Sequence, residues 1–181
     1  MPNISDFKSQ LLQGGFRPNQ FKVTVTFPAA VAGGVAAGQK LQFLAKSASL
    51  PESTIQPVEV MYRGRPVKFA GERTFAPWSI DVYADTDFSL RNSFEAWVDM
   101  MAKADSSTGA LLPSTYQTDV LVEAMDRNDR VVKTYKLVDA FPAQVGQIQL
   151  DWDANNQIAL FPVTLEYNYF LSIGAEGAVL A

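Results

Sequence analysis

Asp151, Asp153 and Asn155 stand two residues apart in LDWDANNQIALFPVTLEYNYF, the spacing at which a calcium loop begins. Such a loop also needs Gly at its sixth position for the sharp bend and Glu at its twelfth as a bidentate ligand. Counting from Asp151, those places hold Asn156 and Pro162, so two carboxylates remain, too few for a calcium cage. A tight turn through Asn155-Asn156 is the expected structure, because Asn tolerates positive φ. The second suggestive spacing is AAVAGGVAAGQKL, where Gly33 and Gly38 match the glycines of a phosphate loop. Lys40 falls one place late and Leu41 stands where Mg²⁺ needs a hydroxyl, so a flexible surface loop is expected instead.

Other chemistry is excluded more simply. The chain has neither Cys nor His, which removes disulfides, thiolate nucleophiles, imidazole bases and ordinary zinc sites. Asp81, Asp85, Asp87 and Glu166 include no spacing that sets a protonated acid beside an ionised partner, as a glycosidase requires. No catalytic residue, cofactor or metal is expected. Arg63, Arg65, Lys68 and Arg73 form a basic cluster, but Glu59 and Glu72 interleave with it, as in interface ion pairs or a solvated edge. A net charge of −4 argues against a sequence-independent DNA-binding patch.

Period-two alternation dominates the elements that would carry these residues. Phe21, Val23, Val25 and Phe27 alternate with Lys22, Thr24 and Thr26, the pattern of a half-buried strand. Val58, Val60 and Tyr62 repeat it, as do Trp78, Ile80 and Val82. TDVLVEAMD and RVVKTYKLV read as a hairpin turning at Asp126–Asp129. Gln147–Trp152 and Gln157–Leu171 read as a last hairpin, with Pro162 at a bulge or an edge. One segment changes period: Leu90, Phe94, Trp97, Val98 and Met101 share a helical face, with Asp85 or Asp87 available to cap its start.

The fold class is therefore mainly β, a barrel or sandwich of antiparallel strands with one packed α-helix. A length of 181 residues suits one domain over 1–181. Residues 1–16 read as an N-terminal arm, 41–70 as an extended inter-subunit arm and 171–181 as a C-terminal tail. MPNISDFKSQLLQGG lacks the basic and apolar blocks of a signal peptide, and AAVAGGVAAG is too short to span a bilayer, so membrane insertion is not expected. Charged residues make up only 19% against 48% hydrophobic, which points to apolar surface buried between copies.

RPNQFKV (Arg17–Val23), AGERTFAPW (Ala70–Trp78) and the long FPAQVGQIQLDWDANNQIALFPVTLEYNY resemble, in order, the tail tube proteins of contractile-tailed bacteriophages. The resemblance covers nearly the whole chain, apart from the Gly/Ala stretch around 29–39 and the tail after Phe170. It implies a β-barrel-like subunit, in the fold family of the hemolysin-coregulated rings of type VI secretion, closing into hexameric rings that stack as a hollow tube. The implied partners are other copies, the sheath, baseplate and tail terminator proteins, with the tape measure protein and phage DNA in the lumen without specific binding. The implied location is the virion tail, after synthesis in the host bacterial cytoplasm. A baseplate tube initiator or the tube of a bacterial injection device shares the motifs. From another class, Trp78, Trp152, Tyr167 and Tyr169 would be the stacking platforms of a carbohydrate-binding module. On the tube reading, Arg17, Arg63, Arg65 and Arg73 are expected at subunit interfaces. Thr24, Thr26, Asp81, Glu123 and Glu166 are the candidates for the lumen face.

Overall fold

The computed structural model describes residues 3–11, 15–106, 108–174 and 179–180. Helix α1 is Ile4–Gln10, and the chain then enters β1 (Phe21–Val25), α2 (Gly34–Leu44) and β2 (Ala45–Ala48). A long hairpin follows, β3 (Ser53–Tyr62) and β4 (Arg65–Phe75). After β5 (Trp78–Tyr83) come α3 (Ser89–Met101) and the single turn α4 (Pro113–Tyr116). The remainder is β: β6 (Thr118–Met125), β7 (Val131–Val145), β8 (Leu160–Glu166), β9 (Tyr169–Gly174) and β10 (Val179–Leu180).

Strand β7 joins two sheets. Its first part pairs with β6 on one side and β9 on the other, while Phe141–Val145 pairs with β8. The strand order β1-β6-β7-β8-β5-β2 then runs from one free edge to the other. The change of sheet falls at Asp139, whose φ is 58°. There Asn168 donates its side-chain amide to the Asp139 carboxylate at 2.9 Å and its backbone N–H to the Val138 carbonyl at 3.1 Å. This local knot also breaks the expected Gln157–Leu171 strand into β8 and β9.

Most of the expected period-two faces meet inside, but that of Val58, Val60 and Tyr62 is exposed, because β3 pairs only with β4 in a separate two-stranded ribbon. Val23, Val25, Val120, Val122 and Leu137 of one sheet oppose Trp78, Ile80, Val82, Phe161, Val163 and Leu165 of the other, and all are buried. Each such side chain contributes about 1.5–3 kcal/mol by leaving water. Helix α3 covers one opening with Leu90, Phe94 and Trp97, buried as its helical face requires, while Val98 and Met101 are half-buried. Asp85 supports its start from outside, accepting from the Leu90 N–H at 3.4 Å, although Phe88 occupies the cap position itself.

Several expectations are corrected. The Gly/Ala stretch is not a surface loop: its C-terminal part is α2, packed on β1 and α3. Glycine makes this approach possible, since a Cβ at Gly34 would lie 2.7 Å from Phe27 Cβ and one at Gly38 would lie 2.8 Å from the Val25 carbonyl oxygen. Gln147–Trp152 is not a strand. Past Gly146, whose N–H bonds the Pro162 carbonyl at 2.7 Å, the chain leaves the sheet, and β8 pairs with the end of β7 instead. The arm expected over 41–70 is redrawn, because Leu41–Ala48 closes α2 and forms β2 within the main sheet. The protruding piece is Ser53–Phe75. Of the tail expected over 171–181, Leu171–Gly174 belongs to β9 and Val179–Leu180 pairs back onto it. The remainder of 171–181 lies outside the described residues.

Candidate assembly surfaces

Beyond its base, where Phe75 packs against Tyr167 and Phe170, the β3–β4 hairpin is held mainly by its own ladder. Its two-residue turn, Arg63-Gly64, has φ of 47° and 82°, the left-handed pair that matches the twist of a tight hairpin. Every residue of β3 is exposed, and so are nearly all of β4. Cross-strand partners share a face, so the register Val58↔Phe69, Val60↔Val67 and Tyr62↔Arg65 sets an apolar stripe on one side with an arginine at its tip. The other side carries Glu59 and Lys68, ion-paired at 3.2 Å. Such a ribbon buries too little against itself to be stable alone, and its apolar face is exposed in the subunit.

The expected interface arginines divide accordingly. Arg63, Arg65 and Arg73 all lie on this arm, where Arg63 sits 5.4 Å over the Tyr62 ring and Arg73 pairs with Ile55 near the base. Arg17 is elsewhere, beside Phe16 and the β6–β7 turn, lining a cleft of about 480 Å³.

The five candidate lumen residues lie on two surfaces. Thr24 and Glu123 share the outer face of the β1–β6 sheet, with Lys22 directly opposite Glu123. Asp81 and Glu166 lie on the outer face of the β5–β8 sheet, near Ser79 and Thr164, and Asp81 accepts a 2.6 Å hydrogen bond from Ser47. Thr26 is exposed just beyond β1.

Two other sequence readings change. Trp78 and Tyr167 are buried, at 1% and 8% exposure, so they form no sugar platform with Trp152 and Tyr169. The Trp78 indole N–H is spent on the Ser49 carbonyl at 2.6 Å. At the expected calcium spacing, Asp151 accepts from the Asp153 N–H at 3.0 Å, a local turn, and Asn156 takes the anticipated positive φ of 61°. Among the described residues no cluster of three metal-ligating side chains exists.

One polar cluster braces the helices. Lys40 of α2 reaches Asp85 at 3.2 Å and Ser89 at 2.7 Å, and Ser89 donates to Asp85 at 2.5 Å. Burial pulls the Asp85 carboxyl upward, but hydrogen bonds from Ser89, Lys40 and the Leu90 N–H outweigh it and hold the group below its ordinary value. Burial also pushes the Tyr167 hydroxyl up, helped by Glu166 and Glu52.

Sequence reasoning missed two apolar surfaces. Ile4 and Phe7 of α1 and Leu11 at its C-cap are exposed, and their i, i+3, i+7 spacing was a readable signal, as was the Asn3/Asp6 capping box. The loop after β7 exposes Leu150, Ile158 and the whole of Trp152, for which no periodicity gave warning.

A β-domain with two uncovered apolar extensions is a part made to be joined to others, and known proteins say which part. The family model described as "Phage tail tube protein" matches residues 16–172. The chain belongs to the phage tail tube protein family. It is 30% identical to tail tube protein gp19 of Enterobacteria phage T4 over 169 residues, 92% of this chain and 98% of that one. The tail tube protein of Serratia phage KSP90 is 28% identical, with 92% and 95% covered. Among solved structures, the tube-terminating cap of the anti-feeding prophage superposes with a TM-score of 0.65 at 16% identity, covering 90% and 93% of the two chains. The sheath–tube complex of an extracellular contractile injection system gives 0.59 at 14% identity, covering 92% and 97%. At those identities the likeness shows the fold alone. The tail tube subunit is thus a structural component of the virion tail, of the contractile type, and its family is one of structural proteins.

Proposed function

We propose that six copies close into a ring, that rings stack into a hollow tube inside a contractile sheath, and that the genome passes along the bore. In this role the chain does no catalysis. The observation that carries the reading is the β3–β4 arm, an apolar-faced ribbon whose stripe of Val58, Val60, Val67 and Phe69 is exposed beyond its Phe75 base. An arm of this kind reaches a neighbouring subunit or ring, and Arg63 and Arg65 at its tip meet carboxylates there. Ring closure also removes the free edges of β1 and β2, which would otherwise invite uncontrolled pairing.

The partners follow from the same role. The structural neighbours include a sheath–tube complex, a baseplate and a sheath/tube terminator, which supports corresponding sheath, baseplate and terminator contacts here. Tape measure protein and DNA occupy the lumen without specific binding, and the chain is synthesised in the host cytoplasm before assembly. Six copies at −4 each give a ring a formal charge of −24, the sign that keeps phosphates off the wall. The face with Asp81, Ser47, Ser79 and Thr164 suits the bore better than that of Thr24 and Glu123, where Lys22 and Lys136 also stand.

The test is size-exclusion chromatography with negative-stain microscopy on the purified chain and on a variant whose arm is cut at the Pro57↔Ala70 pair and closed by a two-residue turn. The expected result is rings and tubes from the intact chain, and a folded subunit without tubes from the variant. An intact chain that stays monomeric at high concentration overturns the reading. A trimmed variant that still builds long tubes removes the arm from it.

A further inference from the structure

Resting on that tube reading, we infer that Trp152 is a plug that docks into the cleft beside Phe16 and Arg17 on a copy in the next ring. The plug side is clear. Trp152 is 101% exposed and Leu150 is 88% exposed, at the tip of a loop whose residues 149–159 are all exposed among the described residues. An indole held wholly in water at a loop tip is unfavourable for the free subunit, and burying one removes roughly 150–250 Å² from solvent. The receiving side is a cleft of about 480 Å³, roomy enough for an indole and its neighbours, with Phe16, Met125 and Val132 supplying apolar wall.

Charge matches as well. From Gln147 to Leu160 the loop carries Asp151 and Asp153 and no basic residue. The cleft presents Arg17 and Arg127. Its carboxylate, Asp126, is turned inward on its own hairpin, accepting from the N–H groups of Asn128 at 2.7 Å and Arg130 at 3.1 Å. An indole entering between two guanidinium groups also gains cation–π attraction.

Topology decides the partner. The cleft is built around the turn that precedes Val131, the first residue of β7, and the plug loop follows Val145, its last. The two therefore lie at opposite ends of a 15-residue strand, a path of roughly 45 Å at about 3.3 Å per residue. A subunit cannot fill its own cleft from there. Complementary patches at opposite ends make a head-to-tail contact that repeats without closing, as stacking requires.

Two variants test this, read against the intact chain. The Trp152→Ala subunit should melt like the intact one, because the side chain is wholly exposed in it, while the concentration needed for tubes rises at least about tenfold, as for a central aromatic anchor. The chain has no Cys, so Ala154→Cys combined with Asn128→Cys introduces the only thiols. Oxidised tubes should give a covalent ladder that continues past six chains. A ladder that stops at six places the contact within a ring, and no ladder from intact-looking tubes means no contact; either result overturns the plug. Intact-chain tubes with normal assembly of Trp152→Ala also overturn the plug but leave the tube reading standing. A chain that never assembles overturns both.

Discussion

Replacing Trp97 separates the work of the helix from that of the sheets. The indole is fully buried, stacks near-parallel to Phe94 at 6.4 Å and lies 5.3 Å from Phe27, and its N–H donates to the Tyr116 carbonyl at 2.8 Å. Trp97→Ala removes all of these and leaves a cavity between α3 and Phe27, a change that costs about 3–5 kcal/mol in measured cores. The Tyr116 carbonyl loses its donor too, which sets the expectation at the upper end. Trp97→Phe keeps most of the volume and the aromatic contacts, so its cost is that of a buried acceptor left unpaired, about 1–3 kcal/mol. For a chain of this size each kcal/mol lowers Tm by about 2–4 °C, so the alanine variant should melt about 6–20 °C below the parent. The assay is thermal and urea unfolding of the unassembled subunit at low concentration, since assembly would raise apparent stability by mass action. An alanine variant within 2 °C of the parent, or a phenylalanine variant as damaged as the alanine one, refutes the reasoning.

Arg65→Glu puts the wrong charge at the arm tip, and burying an unpaired charge costs about 3–5 kcal/mol, so the tube-forming concentration should rise at least about a hundredfold with an unchanged melting curve. Light scattering against concentration reads this, and assembly at the parent's concentration counts against the arm. Asp85→Asn should cost of order 1 kcal/mol at pH 7 by weakening charged hydrogen bonds. Because the folded carboxyl is held below its ordinary value, its stabilising effect is complete above about pH 3.9 and fades as pH falls through the lower folded value. Urea midpoints of the two proteins should accordingly converge in strong acid, and a gap that persists there contradicts the assignment. Gly38→Ala sets a Cβ against the Val25 carbonyl oxygen at 2.8 Å, so it should destabilise by about 1–3 kcal/mol despite alanine's better helix propensity. A more stable variant would mean that α2 has room to shift.

The strands that face the core were legible because one alternating face is all that a half-buried strand needs, as Val23, Val25, Trp78, Ile80 and Val82 illustrate. Helix α3 was legible for the equivalent reason at period 3.6. What the residues concealed depends on long-range partners. The Gly/Ala stretch has weak helical patterning, and α2 packs as it does because Gly34 and Gly38 let it lie against Phe27 and Val25, a close approach that local patterning does not encode. Likewise, the end of the 157–171 strand is set by Asn168 bonding to Asp139, some thirty residues earlier. The division of the lumen candidates between two sheets was hidden for the same cause: a single strand's polar face does not say which sheet it belongs to.

The arm shows how folding and assembly are kept apart in one chain. Its strands carry the same Val, Ile, Phe and Tyr as the core strands, yet a proline within β3, a register shift beside it and a two-residue turn leave it as a ribbon of its own. Charges at Glu59, Lys68, Arg63, Arg65 and Arg73 keep it soluble until a partner covers it. The Trp152 loop follows the same logic on a smaller scale, with Asp151 and Asp153 flanking the indole. The apolar residues that the composition holds in excess are thus gathered on extensions whose loss leaves the core of Trp78, Trp97 and Phe161 intact. On the proposed tube reading, a subunit so divided folds first and stacks once its neighbours supply the cover that its own chain withholds.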